Sequence, residues 1–234
     1  MLTIYLARHA EAANPRDILY GRLPRVDLSA KGREQAAALA EAMAGLPLEA
    51  IYSSPLLRAR RTAAAIAAHH PGVPLVHSGL LLENRHPFQG RPHKEIAALG
   101  DRAYDPDVLG AEGESILDLR KRMVRFLQRV SRRHRGGVVA AVAHADPLAA
   151  LRAQLLGKEP TIASMRQEAP PLAAVFRVEL NDAGAAALEW FWKPPAPPDQ
   201  QARPEAASDQ AAGSASSPPI AVAAVGQERI ERAG

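Results

Sequence analysis

The sequence predicts a three-layer α/β/α sandwich on a mostly parallel central sheet, and three observations carry that prediction. Strand-like and helix-like segments alternate from Thr3 to Leu156, and a strand reached through a helix pairs parallel to its predecessor. Gly137–His144 is almost wholly apolar, as a central strand covered on both faces must be. Leu172–Leu180 and Ala186–Trp192 alternate and follow one another directly. They read as an antiparallel hairpin turning around Asn181–Gly184.

Taken in order, Thr3–Ala7 is short, apolar and β-rich, the pattern of a buried strand. The polar loop after it holds Asn14, Pro15, Gly21 and Pro24. Ser29 offers a capping hydroxyl to a helix over Ala30–Met43, and Gly45 ends it. Glu49–Ser53 is the second strand. Ser54-Pro55 combines a capping hydroxyl with a proline at the first helical position, opening a helix that runs to His70 and stops at Pro71-Gly72. Leu75–His77 is a short third strand. Glu83–Gly113 is broken by Pro87, Gly90, Pro92, Pro106 and Gly110, and it holds a short helix over His93–Leu99. Ser115–Arg133 places Ile116, Leu119, Met123, Phe126 and Leu127 on one face of a long amphipathic helix. The run Arg129–Arg135 suits the negative end of its dipole. Pro147–Leu156 is the last helix expected.

The 234 residues fit one domain and a tail. Hydrophobic residues make up 47% and aromatics 4%, so Ala, Leu and Val must build the core. Residues 194–234 are rich in Pro, Ala, Ser and Gln and hold no aromatic residue. Such a segment cannot bury enough apolar surface to offset its ordering entropy, so it reads as a disordered tail behind a domain over residues 1–193. The tail carries three Arg against five acidic residues, which leaves +6 on the domain against +4 for the whole chain. That balance suits an anionic partner. Arg is spread along the chain with few aromatic neighbours, unlike a nucleic-acid surface. The absence of cysteine excludes disulfides, thiol chemistry and Cys-based metal sites. No apolar run reaches the ~18 residues of a membrane span. Leu2–Leu6 is too short for a signal peptide and leads straight into Arg8, so a cytoplasmic protein is expected.

In open α/β sheets ligands gather beyond the C-terminal ends of the strands. The first strand ends in Arg8-His9. The second ends in Ser53-Ser54 and feeds a helix bearing Arg58. The third is followed by Glu83, and the fourth ends in His144. Two His, two Arg and one Glu thus reach the same sheet edge. A phosphate monoester asks for such a set. Paired guanidiniums bind its oxygens and neutralise charge as a nucleophile approaches. Neutral imidazole is a competent nucleophile near pH 7, a second imidazole can donate to an oxygen, and a carboxylic acid can protonate the departing alkoxide.

Here the sequence resembles a known family. Leu6-Ala7-Arg8-His9-Ala10-Glu11 is similar to the signature of the histidine phosphatase superfamily, which includes cofactor-dependent phosphoglycerate mutases. The resemblance continues in Asp27-Leu28-Ser29-Ala30-Lys31-Gly32 with Gln35-Ala36, and in Tyr52-Ser53-Ser54-Pro55-Leu56-Leu57-Arg58-Ala59 with Thr62-Ala63. Gly113-Glu114-Ser115 and Val142-Ala143-His144-Ala145 complete it, in the family's order, over residues 1–192. The resemblance implies a phosphoglycerate mutase-like fold and no metal or other cofactor. It implies His9 as the phosphorylated nucleophile, Arg8 and Arg58 as the phosphoryl clamp, His144 as the completing donor and Glu83 as the acid. Asn14 and Ser54 are further candidates for phosphate or substrate contacts. Two departures stand out. Ala10 and Ala145 replace the glycine that usually follows each histidine, a small change expected to be tolerated. Asn84-Arg85-His86-Pro87-Phe88-Gln89-Gly90 replaces the usual aromatic residue and Glu-Gly pair after the acid.

The expected activity is phosphomonoester hydrolysis on a small phosphorylated substrate. The segment from Glu83 to Gly113 is short, whereas the mutases implied by the resemblance carry a longer insertion that excludes water. A phosphoglycerate mutase and a non-catalytic phospho-ligand binder are the alternatives. Arg85, Arg91, His93 and Lys94 are read either as a basic rim of the pocket or as a solvated loop. Glu11 is a rival acid, read in preference as shaping its loop.

Overall fold

The computed structural model describes residues 1–181 and 186–195. Its elements are β1 (Leu2–Arg8), α1 (Ala30–Met43), β2 (Ala50–Ser53), α2 (Leu57–Ala68), β3 (Leu75–His77), α3 (His93–Leu99) and α4 (Pro106–Leu109), then α5 (Ile116–Arg133), β4 (Val138–Ala143), α6 (Ala145–Leu155), α7 (Ile162–Glu168), β5 (Val175–Leu180) and β6 (Ala186–Trp192). One six-stranded sheet runs in the order β3-β2-β4-β1-β5-β6. The first four strands are parallel, and β5 and β6 add an antiparallel hairpin at one edge. The turn residues 182–185 and the tail from 196 onward lie outside the described residues.

The period of two along β1 sorts its side chains onto opposite faces. Leu2, Ile4 and Leu6 pack with Met123, Phe126 and Val130 of α5 and Leu148, Leu151 and Leu155 of α6. Tyr5 and Ala7 pack with Leu39 and Met43 of α1 and Ala63 and Ile66 of α2. Helices therefore cover both faces. Each Leu, Ile or Phe fully buried in these layers contributes roughly 1.5–3 kcal/mol relative to exposure. β4 lies at the centre with Ala140, Ala141 and Ala143 buried.

Several ends differ from the sequence reading. Ser29 caps α1 as expected, accepting from the Gly32 N–H. Gly45 follows α1 without adopting a left-handed conformation. The Ser54-Pro55 start is corrected: α2 begins at Leu57 with Leu56 at the cap and no side-chain cap bond, because the Ser54 hydroxyl is engaged with His144 (2.7 Å). The same helix stops at Ala68, short of His70. α6 starts at Ala145, ahead of Pro147, since proline is tolerated in a first helical turn where its missing N–H has no intrahelical partner. α4 and α7 are additions. At Gly32 a Cβ would stand 1.9 Å from the Glu11 carbonyl oxygen. Only glycine allows the loop after β1 to lie on the first turn of α1.

Candidate active site

β1 and β4 are parallel neighbours with Arg8 opposite Ala143, and the next residue of each strand is a histidine. The His9 N–H donates to the Ala143 carbonyl (3.0 Å), and the Ala173 N–H donates to the His9 carbonyl (3.3 Å). β2, beyond β4, delivers Ser54, whose N–H donates to the Val142 carbonyl (2.9 Å). The His9 and His144 rings stand 5.0 Å apart between centroids. Both are buried, and so is Arg58 in the first turn of α2. Arg58 donates through Nε to His9 Nε2 (3.2 Å) and through Nη2 to the Gly21 carbonyl (2.7 Å). Its guanidinium lies 4.6 Å from the Tyr20 ring centroid. Arg8 Nη1 donates to the Pro170 carbonyl (2.8 Å).

These bonds assign the His9 tautomer. His9 Nδ1 lies 2.7 Å from the Ala10 carbonyl, which can only accept, so Nδ1 carries the proton. Nε2 then keeps its lone pair, as its bond from Arg58 requires. Ser54 Oγ accepts from the Leu56 N–H (3.4 Å) and pairs with His144 Nε2 (2.7 Å). Among the described residues His144 Nδ1, Arg8 Nε and Arg58 Nη1 are buried nitrogens without a hydrogen-bond partner. Buried polar atoms are rarely left so, and these three are N–H-bearing groups of the kind that bind an oxyanion. Burial lowers the pKa of both histidines well below the ordinary value, and for each Arg58 adds to the effect, followed by lesser contributions that include Arg8. Both rings are neutral at pH 7.

Glu83 sits beyond β3, after a single 3-10 turn at Gly79–Leu81. Arg22 Nε donates to the Glu83 carbonyl (2.7 Å), and Arg122 Nη1 donates to the Leu80 and Leu82 carbonyls (2.8 and 2.7 Å). Glu114 joins the two guanidiniums, at 2.8 Å from Arg22 and 2.7 Å from Arg122. This charged clamp fixes the segment that carries the acid. The Glu83 pKa is raised to about 7, first by burial and then by the negative charge of Asp146, against the pull of Arg58, the Asn84 N–H and Arg8.

A cavity of about 240 Å³ adjoins the cluster through Arg8, with Tyr20, Glu83, Tyr104 and Asp146 also in its walls, and His9, Arg58 and His144 are not among its lining residues. Arg8, His9, Arg58, His144 and Glu83 thus come together from four chain segments. Ser54 lies behind His144. Asn14 is turned back onto its own loop, bonding the Ile18 N–H and carbonyl (3.2 and 2.9 Å), and does not line the cavity. Glu11 accepts from the Ser29 hydroxyl (2.7 Å) and shapes the loop. Of the basic residues considered for a rim, His93 lines the cavity. Arg91 lies over the Phe88 ring and pairs with Glu95. Neither Ala10 nor Ala145 has a positive φ, so alanine is accommodated at both. Tyr104, Asp146 and the Arg22–Glu114–Arg122 clamp escaped the sequence reading. Asp146 had a signal, standing two residues after a strand-end histidine. Tyr104 and Arg22 come from irregular segments whose path no local pattern fixes.

Fold and cluster together define an α/β protein with a buried histidine–arginine cluster at its strand ends. Residues 4–193 match the histidine phosphatase superfamily (branch 1), and the chain belongs to that superfamily. It is 38% identical over 164 residues to an uncharacterized protein of Mycobacterium tuberculosis, covering 66% of this chain and 79% of that one. It is 32% identical over 165 residues to phosphoserine phosphatase 1 of Hydrogenobacter thermophilus, covering 67% and 77%. Among solved structures, Bacillus stearothermophilus YhfR superposes with a TM-score of 0.71 at 26% identity, over 81% of this chain and 96% of that one. Mycobacterial glucosyl-3-phosphoglycerate phosphatase superposes with a TM-score of 0.65 at 25% identity, over 75% and 89%. No helix among the described residues is long and apolar enough to cross a membrane.

Proposed function

We propose that the protein hydrolyses a phosphomonoester through a phosphohistidine on His9. The observation that carries this reading is the lone pair of His9 Nε2, held by a hydrogen bond from Arg58 Nε, in a buried cluster where Arg8, Arg58 and His144 each keep an unpartnered nitrogen. In the first step Arg58 Nε–H turns its hydrogen bond from Nε2 to a phosphoryl oxygen, the freed Nε2 lone pair attacks phosphorus, and the bond to the ester oxygen breaks. Glu83, protonated in good part near neutral pH, gives its proton to the departing alkoxide. Arg8, Arg58 and His144 Nδ1 hold the non-bridging oxygens, where the transition state spreads its charge. In the second step water attacks the phosphohistidine, and the Glu83 carboxylate takes its proton. Phosphate leaves, and His9 and the protonated acid are restored. The phosphatases among the relatives and structural neighbours support hydrolysis over phosphoryl return to a glycerate.

The test is phosphate release from 4-nitrophenyl phosphate and a panel of alkyl phosphates with EDTA present. Turnover by the wild type that vanishes in His9→Ala is expected. Equal turnover by the variant would overturn the nucleophile. Isomerisation of phosphoglycerate dependent on a bisphosphoglycerate primer, with negligible phosphate release, would favour the mutase instead.

A further inference from the structure

Beyond Glu83 the cavity wall has a charge character of its own. Asp146 stands in the first turn of α6, where the helix dipole favours a carboxylate, and it lines the cavity with Glu83. One of its oxygens, Oδ2, accepts from the Tyr104 hydroxyl. The other has no partner among the described residues. Asp146 is close enough to Glu83 to act on its ionisation. The rest of this wall offers aromatic and apolar surface from Leu19, Tyr20, Ile96 and Tyr104.

Among the described residues lining this wall, no unengaged cation answers Asp146. Arg8 belongs to the phosphoryl end. His86 Nε2 donates to the Ala103 carbonyl (2.9 Å) and Nδ1 accepts from the Phe88 N–H (3.2 Å), so its ring is neutral with both nitrogens engaged. His93 Nδ1 is 2.8 Å from Asp17. A substrate carboxylate would therefore meet Asp146 uncompensated, whereas an ammonium would find a carboxylate oxygen to accept its hydrogen bond.

We propose that the cavity takes the organic part of a phosphomonoester bearing a protonated amine, and that Asp146 is its counter-ion. This rests on the phosphomonoesterase reading and adds the substrate class to it. Arg8 and Arg58 bind one end of such a molecule and Asp146 the other, so the site recognises a dipolar ester.

The substrate itself supplies the cleanest control. Phosphoethanolamine is compared with its N-acetyl derivative, which loses only the charge, and with glycerol 3-phosphate and 3-phosphoglycerate. The expected result is kcat/KM about tenfold or more in favour of phosphoethanolamine over each of the others. Asp146→Asn should collapse that ratio toward one, whatever it does to the absolute rates. Binding to His9→Ala by calorimetry should show the same order of Kd, which keeps the inference testable if turnover is slow. Equal Kd and kcat/KM for the amine and its N-acetyl derivative would overturn it, as would a preference that survives Asp146→Asn. Turnover dependent on His9 but indifferent to the amine would sink this inference and leave the hydrolase reading standing. Binding that prefers the amine without any turnover would do the reverse.

Discussion

At the residue scale, one carboxyl joins the chemistry to the pH of its surroundings. Glu83 has a pKa raised to about 7 by burial first and Asp146 second, and the proposed first step needs it protonated. The rate with an alkyl phosphate should fall as pH rises through about 7, while the acid limb, set by neutral His9, lies below the ordinary histidine value. Glu83→Gln should erase the alkaline limb and lower kcat/KM on alkyl esters by about 10²–10⁴-fold. It should lose less on 4-nitrophenyl phosphate, whose leaving group needs less help. The same shift bears on folding. An acid whose pKa is raised in the folded state costs nothing below its unfolded value, and destabilises progressively as pH climbs through the folded one. Glu83→Gln should therefore raise Tm relative to wild type at about pH 8 and not at about pH 4. An identical Tm difference at both would contradict the buried, raised carboxyl. These strand-end residues were legible because a parallel sheet delivers them to one edge whatever the loops do. Asn14 bonds the backbone of its own loop, a competing use of a short polar side chain that the sequence does not reveal.

At the scale of elements, the strands and long helices announced themselves by period and caps, and α7 did not. Its seven residues bury Met165 and Glu168, too few positions to establish a period. What fixes it is long-range. Arg152 of α6 and Glu168 of α7 pair at 3.0 Å with side chains 7% and 6% exposed. Arg152 also lies over the rings of Trp190 and Phe176, at 4.2 and 5.0 Å. Lys158 closes on the other Glu168 oxygen at 2.6 Å. Removing one partner of a buried pair leaves a charge without compensation, so Glu168→Ala should cost about 3–5 kcal/mol in urea unfolding. A loss of about 0–1 kcal/mol, the range of exposed pairs, would show that α7 is held by its apolar contacts alone. The displaced start of α2 teaches the same lesson. Ser54-Pro55 carries a local helix-start signal, but the hydroxyl bonds His144 across the sheet.

At the scale of the whole molecule, the sheet closes at β6 and the matched family residues end at 193. Residues 196–234 lie outside the described structure. Their composition still predicts that they add little to a packed core. A chain ending at residue 195 is expected to keep the Tm and phosphatase rate of the full protein. A large fall in Tm would mean that the tail packs on the domain. The layer order was legible because alternation of strand and helix leaves few topologies. The cavity was not, because Tyr104 and Arg22 reach it from segments without periodicity.

The account stands on a covalent bond at His9 Nε2. Rapid acid-free quenching during turnover of 4-nitrophenyl phosphate, followed by peptide mapping, tests it most directly. The account predicts a phosphoryl group on the peptide containing His9, acid-labile and absent in His9→Ala. Full-rate phosphate release with no phosphoenzyme, or a phosphoryl group on any other residue, would contradict it.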